Sequence, residues 1–93
     1  MQTFRICTRQ PLAPVGQEGV FIGMPDTFSG ETCGAWRYRT VALSPPKIMA
    51  TGELGYYGLV EDLGSIVPGR VLREVCIRAA REKFPGLPVA HAR

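Results

Sequence analysis

Apolar and polar residues alternate at the start of the chain, between Thr3 and Arg9. A period of two residues is typical of a half-buried β-strand, because successive side chains point to opposite faces of a sheet. Pro11 and Pro14 follow, and proline cannot donate a hydrogen bond to a neighbouring strand, so we expect the strand to end before them. One face would carry Phe4, Ile6 and Thr8, and the other Thr3, Arg5, Cys7 and Arg9.

Two further apolar stretches predict strands on either side of a polar loop. The first runs from Val20 to Met24, and the second, from Ala35 to Leu43, alternates most clearly of all. Between them, residues 25–34 are rich in turn-forming residues and predict an exposed loop. In the second strand one face would carry Trp36, Tyr38, Thr40 and Ala42, and the other Arg37, Arg39, Val41 and Leu43.

The middle of the chain has a weaker pattern. Lys47 to Thr51 predicts a fourth strand, which we expect to pair antiparallel with the strand before it across a short connection. Gly52 to Asp62 has two alternatives, a strand around Tyr56 to Val60 or a short helical turn. Its glycines disfavour a stable helix.

The last third of the chain has helical periodicity. Ser65 is a candidate cap, Pro68 suits a first helical turn, and Val71 to Phe84 predicts the helix itself. Pro85 and Gly86 would end it, and residues 87–90 could add a short strand beside the sheet. The predicted apolar arc of the helix comprises Val71, Leu72, Val75, Cys76, Ala79 and Ala80.

Together these elements predict an α+β fold in a single domain over residues 1–93. We expect a small, mostly antiparallel sheet of three to five strands, with one C-terminal amphipathic helix packed on one face. The predicted core combines sheet residues with residues of the helix. It comprises Phe4, Ile6, Trp36, Tyr38, Val71, Leu72 and Val75.

Composition places the chain among ordinary globular proteins, with 45% hydrophobic and 20% charged residues. Its three cysteines are odd in number and widely spaced, which favours free thiols in a reducing compartment. The first residues do not resemble a secretory signal, and no apolar run is long enough to span a bilayer. We therefore expect a cytoplasmic protein.

The basic character of the chain lies in its last third, where six cations face two carboxylates. Arg70, Glu74, Arg78 and Glu82 alternate in sign at a spacing of four residues, and they predict a ladder of exposed ion pairs on the helix. Outside this ladder, Arg73, Ile77 and Arg81 share one stripe of the predicted outer face. An apolar residue between two arginines is a candidate contact with a partner.

Further candidate contacts lie on the predicted sheet. If the first and third strands are neighbours, Arg5, Arg9, Arg37 and Arg39 converge on one sheet face. Such a face could bind an acidic protein or nucleic acid. The alternative is a solvent-exposed face of the sheet without a partner. Tyr56 and Tyr57, close to three carboxylates, form another candidate contact surface.

Candidate chemistry is sparse. Cys33 could act as a nucleophile only with a base, and His91 is the one histidine of the chain. No pair of cysteines has the spacing of a zinc site, and the three glycines at 52, 55 and 58 lack the lysine of a phosphate-binding loop. We therefore expect no enzyme activity, no metal and no cofactor.

The functional prediction is a small non-enzymatic protein-binding module, acting as an inhibitor or adaptor of a larger complex, as small mobile-element proteins do. Its partner would present an acidic surface. The alternative is a nucleic-acid-binding protein that uses the arginine-rich faces. A homodimer is left open.

Overall fold

The computed structural model describes residues 2–23 and 32–93. Within them lie eight strands and one helix. The elements are β1 (Thr3–Thr8), β2 (Glu18–Ile22), β3 (Thr32–Cys33), β4 (Ala35–Leu43), β5 (Lys47–Ile48), β6 (Leu54–Ser65), β7 (Val71–Leu72), α1 (Arg73–Lys83) and β8 (Val89–His91).

Six of the strands form one mixed sheet, with the order β1-β6-β4-β2-β8 and β5 paired with β6. All of these pairs are antiparallel except that between β2 and β8. The predicted α+β class and C-terminal helix are confirmed. The sheet, however, is larger than three to five strands.

The two ends of this sheet meet, so it curls into a partly closed barrel. Thr8 pairs antiparallel with Ala92, the Arg9 amide donates to the His91 carbonyl at 2.8 Å, and the Arg93 amide donates to the Cys7 carbonyl at 3.0 Å. These contacts join only the last part of β1 to the residues at and after β8. Toward Thr3, no strand within the described residues flanks the outer side of β1. The barrel is therefore closed at one end and split at the other.

The barrel interior draws side chains from five strands and from the segment after β1. Leu12 and Ala13 cross the closed end of the barrel, and the Ala13 amide donates a hydrogen bond to the Tyr38 hydroxyl at 3.0 Å. Tyr38 is only 1% exposed. The interior cluster comprises Leu12, Ala13, Tyr38, Val60 and Ala90, with Ile6 and Phe21 packed against it.

Helix α1 packs on the outside of the barrel, which corrects the predicted core. In the antiparallel register Ile22 lies opposite Ala35, and these side chains share the outer face with Val20, against Cys76 and Ala80 of the helix. The predicted sheet residues, Phe4, Ile6, Trp36 and Tyr38, point to the opposite side and do not meet the helix.

The helix begins later than predicted and presents a different face. Val71 and Leu72 form β7, which pairs with β3, so the helix begins at Arg73 and has no side-chain cap from the residues described here. Ser65 is not a cap, because its hydroxyl donates to the Val67 carbonyl at 2.7 Å within the chain leaving β6. Leu72 is 45% exposed, whereas Ile77 packs against the core.

The glycine-rich middle of the chain forms β6, the longest strand, and the helical alternative is wrong. The Gly52 amide donates to the Met49 carbonyl at 2.9 Å, and Gly52 has a φ of +86°, which makes a tight turn. This turn pairs β5 with β6, so the predicted pairing of this strand with β4 is wrong. A Cβ at Gly58 would lie 2.6 Å from the Leu12 side chain and 3.0 Å from the Ala42 carbonyl oxygen, so glycine lets β6 pass close to Leu12 where it crosses the closed end of the barrel.

The remaining predictions agree with the structure in part. The strand predicted over Val20 to Met24 is β2, although Met24 lies outside the described residues. Most of the loop predicted over 25–34 also lies outside them, and its residues Thr32 and Cys33 form β3 instead. The short strand predicted after the helix is confirmed as β8, in parallel with β2.

Candidate functional site

The split end of the barrel contains an apolar pocket of about 340 Å³. Mouths of β-barrels are common binding sites, and this volume lies in the range of ligand pockets. The apolar part of its lining comes from four strands, and three charged residues, Arg5, Arg37 and Asp62, complete it. The lining comprises Phe4, Arg5, Ile6, Phe21, Trp36, Arg37, Tyr38, Val60 and Asp62.

Stacked aromatic rings form one wall of the pocket. The ring centroids of Phe21 and Trp36 lie 5.9 Å apart with an interplanar angle of 29°. Two glycines leave room for the indole, because a Cβ at Gly23 or at Gly34 would lie 2.5 Å from the Trp36 ring. The wall is therefore an aromatic surface on which an apolar or aromatic group can pack.

The floor is closed and the opposite wall is open. Tyr38 and Val60 are almost fully buried at the floor. Burial raises the pKa of the Tyr38 hydroxyl, and the hydrogen bond from Ala13 lowers it by less, so the floor is uncharged at neutral pH. On the side of β1, Phe4 is 47% exposed, which is a large exposure for a phenylalanine next to a buried cluster.

The rim of the pocket carries charges of both signs. Asp62 accepts a hydrogen bond from the Gly64 amide at 2.8 Å, which holds its carboxylate in place. Arg5 is exposed, and no carboxylate among the described residues pairs with it. An apolar pocket with a polar rim is typical of the centre of a protein interface.

The strand arginines do not form the converging group that was predicted. Strand β6 lies between β1 and β4, so the condition that these strands are neighbours fails. Glu18 pairs with Arg37 at 2.9 Å and with Arg39 at 3.6 Å, and Glu61 lies 3.5 Å from Arg39. Two of the four guanidinium groups are thus neutralised on the outer face.

Two arginines, Arg9 and Arg73, lie beside His91. An Arg73 guanidinium nitrogen donates to His91 Nδ1 at 2.9 Å. Burial lowers the pKa of His91, and the charges of Arg73 and Arg9 lower it further. This histidine is therefore neutral at pH 7 and acts as an acceptor for Arg73.

The helix stripe is not the outer face that was predicted. Ile77 is partly buried against the core, and Arg73 is held by the C-terminal strand, whereas Arg81 is exposed. The physical reason is the position of α1 on Val20 and Ile22. With the helix in this position, Cys76, Ile77 and Ala80 face inward. This buried face is rotated about the helix axis from the predicted apolar arc, which did not include Ile77.

Tyr56 and Tyr57 do not form one surface, because adjacent residues on β6 point to opposite faces of the sheet. The Tyr57 hydroxyl donates to the Met49 sulfur at 3.3 Å, and Lys47 lies 5.6 Å from the centre of the Tyr57 ring. Tyr57 therefore supports the β5–β6 hairpin.

The residues considered for catalysis or metal binding have structural positions. Cys33 is fully buried, and the Cys76 thiol beside it donates to its carbonyl at 3.5 Å. Burial raises the pKa of Cys76, so this thiol stays protonated. Among the described residues, no three His, Cys, Asp or Glu side chains are placed to hold a metal ion, and no helix is long and apolar enough to cross a membrane.

The pocket residues were missed as a site because their alternation predicted a covered core. Phe4, Trp36 and Tyr38 lie on strand faces that are apolar in sequence, and nothing in that pattern tells a filled interior from an open end. The one available signal was the pair Gly23 and Gly34 around the only tryptophan. No protein-family model, no curated protein and no solved structure matches the chain.

Proposed function

We propose that the chain is a small cytoplasmic protein-binding module without enzyme activity or cofactor, which acts as an inhibitor or adaptor of a larger complex. It binds its partner by taking an apolar side chain into the pocket at the split end of the barrel. The observation that supports this most is the pocket itself. The pocket has a volume of about 340 Å³, and Phe4, Phe21 and Trp36 form part of its lining. It is open beside Phe4, which is half exposed.

The chemistry of the pocket suits an anchor residue of a protein. Full burial of one large apolar side chain contributes roughly 1.5–3 kcal/mol, and a few such anchors supply most of the affinity of an interface. Around the pocket, Arg5 and the net charge of +3 favour a partner with an acidic surface, which would also speed association.

The only tryptophan of the chain makes the proposal easy to test, since Trp36 forms a wall of the pocket. A library of 12-residue peptides displayed on phage is selected on the wild-type chain, and the affinity of synthetic copies is measured by Trp36 fluorescence. We expect the selected peptides to carry a large apolar residue. We expect Phe4→Ala to weaken binding about ten- to a hundredfold, as loss of one apolar contact surface implies.

Ile48→Ala is the matched control, because Ile48 is 77% exposed on β5, away from the pocket. Its affinity should stay within about twofold of the wild type. Selected peptides that bind the Phe4→Ala and wild-type chains equally well would contradict the proposal.

The nucleic-acid alternative makes a different prediction. Phosphate contacts by arginine give an affinity that falls steeply with salt. The ion pairs of Arg37 and Arg39 with Glu18 and Glu61 argue against it, because they balance the charge of that face. Fluorescence anisotropy with a labelled 20-nucleotide strand and the matching duplex tests it directly. Salt-sensitive binding that survives Phe4→Ala would favour nucleic acid over the protein partner.

A further inference from the structure

We propose that the partner segment is an extended peptide that adds a strand to the outer edge of β1, between Thr3 and Ile6, and inserts alternate side chains into the pocket. This inference depends on the proposed function and specifies the partner. An extended segment can use both the backbone edge and the pocket, whereas a helix could use the pocket alone.

The directions of the backbone groups on β1 follow from three hydrogen bonds. The Gln2 carbonyl accepts from the Asp62 amide on β6 at 3.1 Å, so even-numbered residues face β6. The Cys7 carbonyl accepts from Arg93 and the Arg9 amide donates to His91, so odd-numbered residues face the outer edge.

Thr3 and Arg5 therefore direct their amide and carbonyl groups outward. Past Cys7 this edge is paired with residues 91–93, and before it no strand of the described residues pairs with it. Unpaired edge groups of this kind are a ready template for another strand. The added strand would continue the pairing that the C-terminal residues begin.

The register of β1 also predicts the sequence of the partner segment. Phe4 lies opposite Val60 and Ile6 opposite Gly58 on the interior face, whereas the alternation of the strand turns Arg5 away from this face, so that it reaches only the rim of the pocket. Residues of an added strand alternate in the same way. The partner residue beside Arg5 should then be acidic, and its two neighbours in sequence should be apolar and point to the pocket.

A second copy of the chain is the less favourable occupant. A two-fold pairing of β1 strands centred on Arg5 would place the two guanidinium groups directly opposite each other, and like charges in that position destabilise a pair of strands. An acidic residue in a different protein meets the same arginine with complementary charge.

Two matched peptides test the inference, an acetylated and amidated peptide of sequence STTLEFTTS and its counterpart STTLKFTTS. Trp36 fluorescence gives their affinities for the wild-type chain and for three variants, Arg5→Ala, Arg5→Pro and Arg5→Glu. We expect the wild type to prefer the glutamate peptide by about threefold or more, and Arg5→Glu to prefer the lysine peptide.

Proline separates the backbone contribution from the charge. Arg5→Ala and Arg5→Pro lose the same charge, but only proline removes the outward amide, and an edge strand tolerates it there. We expect Arg5→Pro to bind the glutamate peptide about three- to tenfold more weakly than Arg5→Ala does, which is the effect of one lost hydrogen bond. Hydrogen exchange should show that the Thr3 amide becomes protected in the complex.

The outcomes distinguish the two proposals. Equal affinities of Arg5→Pro and Arg5→Ala, an unchanged charge preference in Arg5→Glu, or an unprotected Thr3 amide would overturn the added strand, even where Phe4→Ala still weakens binding. If Phe4→Ala leaves the affinity for the peptides unchanged, the pocket is not the binding site. In size-exclusion chromatography, elution of the wild type as a dimer and of Arg5→Pro as a monomer would assign the edge to a second copy of the chain. That result would overturn the inference.

Discussion

The hydroxyl of Tyr38 binds the segment of Leu12 and Ala13 that crosses the closed end of the barrel, and its removal tests the interior packing. Tyr38 is 1% exposed, and its hydroxyl accepts the Ala13 amide hydrogen at 3.0 Å. Tyr38→Phe keeps the ring and removes only the acceptor, so a buried amide loses its partner. An unsatisfied buried donor destabilises a protein by about 1–3 kcal/mol. For a domain of this size the melting temperature should fall by about 4–24 °C.

Urea unfolding followed by Trp36 fluorescence measures this change, because the indole packs in the same interior. Tyr56→Phe is the matched control, since no hydrogen bond of the Tyr56 hydroxyl is found within the described part of the chain. The control should remain within about 0.5 kcal/mol of the wild type. If Tyr38→Phe is equally neutral, the Ala13 amide does not depend on the Tyr38 hydroxyl. That result would contradict the described packing at the closed end of the barrel.

Three other predictions concern the wall, the cluster at the C-terminal strand and the outer face. Gly34→Ala places a methyl group against the Trp36 ring, so we expect a loss of about 1–3 kcal/mol in unfolding free energy and a red-shifted tryptophan emission; an unshifted spectrum would contradict the packing. The folded state lowers the pKa of His91, so the unfolded state binds protons more readily; stability should fall as the pH drops below about 6.5, and His91→Gln should remove that dependence in urea titrations at pH 7.5 and 5.5. Glu18→Gln removes two partly exposed ion pairs and should change the unfolding free energy by less than about 1 kcal/mol, and a larger loss would show that these pairs are more than surface contacts.

Local patterns in the sequence were enough to predict the strands that alternate strictly. Ala35 to Leu43 was predicted with its bounds, because β4 lies in the sheet between β6 and β2 and its residues alternate toward two different surroundings. A short last strand was also predicted, over residues 87–90, and it overlaps β8. In these elements local preference and tertiary packing agree.

The sequence left two alternatives for β6, a strand around Tyr56 to Val60 or a helical turn, and its full length could not be predicted because tertiary contacts decide it. Its glycines lower the preference for any regular structure, yet Gly58 is needed where Leu12 crosses the barrel. The contact joins residues from opposite halves of the chain, and no local pattern carries it. The same holds for the start of the helix, where pairing of Val71 with Cys33 extends the chain as a strand.

The candidate site was hidden for a related reason. The apolar faces of β1 and β4 were predicted to lie under the helix, whereas the helix covers the outer face of β2. Sequence alternation shows that a face is apolar, but it does not show what lies above it. In the same way, the exposure of Arg37 and Arg39 could not be judged without Glu18, which lies on the neighbouring strand.

The joint between β1 and the C-terminal residues has a consequence for how the chain folds. Gln10 and His91 are 81 residues apart in sequence, yet the Gln10 side chain accepts a hydrogen bond from the His91 amide at 2.7 Å. Joining such distant segments carries a large loop entropy and is slow compared with forming local hairpins. We expect the β5–β6 hairpin to form early and this joint to close late. Until it closes, the whole edge of β1 is unpaired, so a folding intermediate would present a longer template for strand addition than the native protein does.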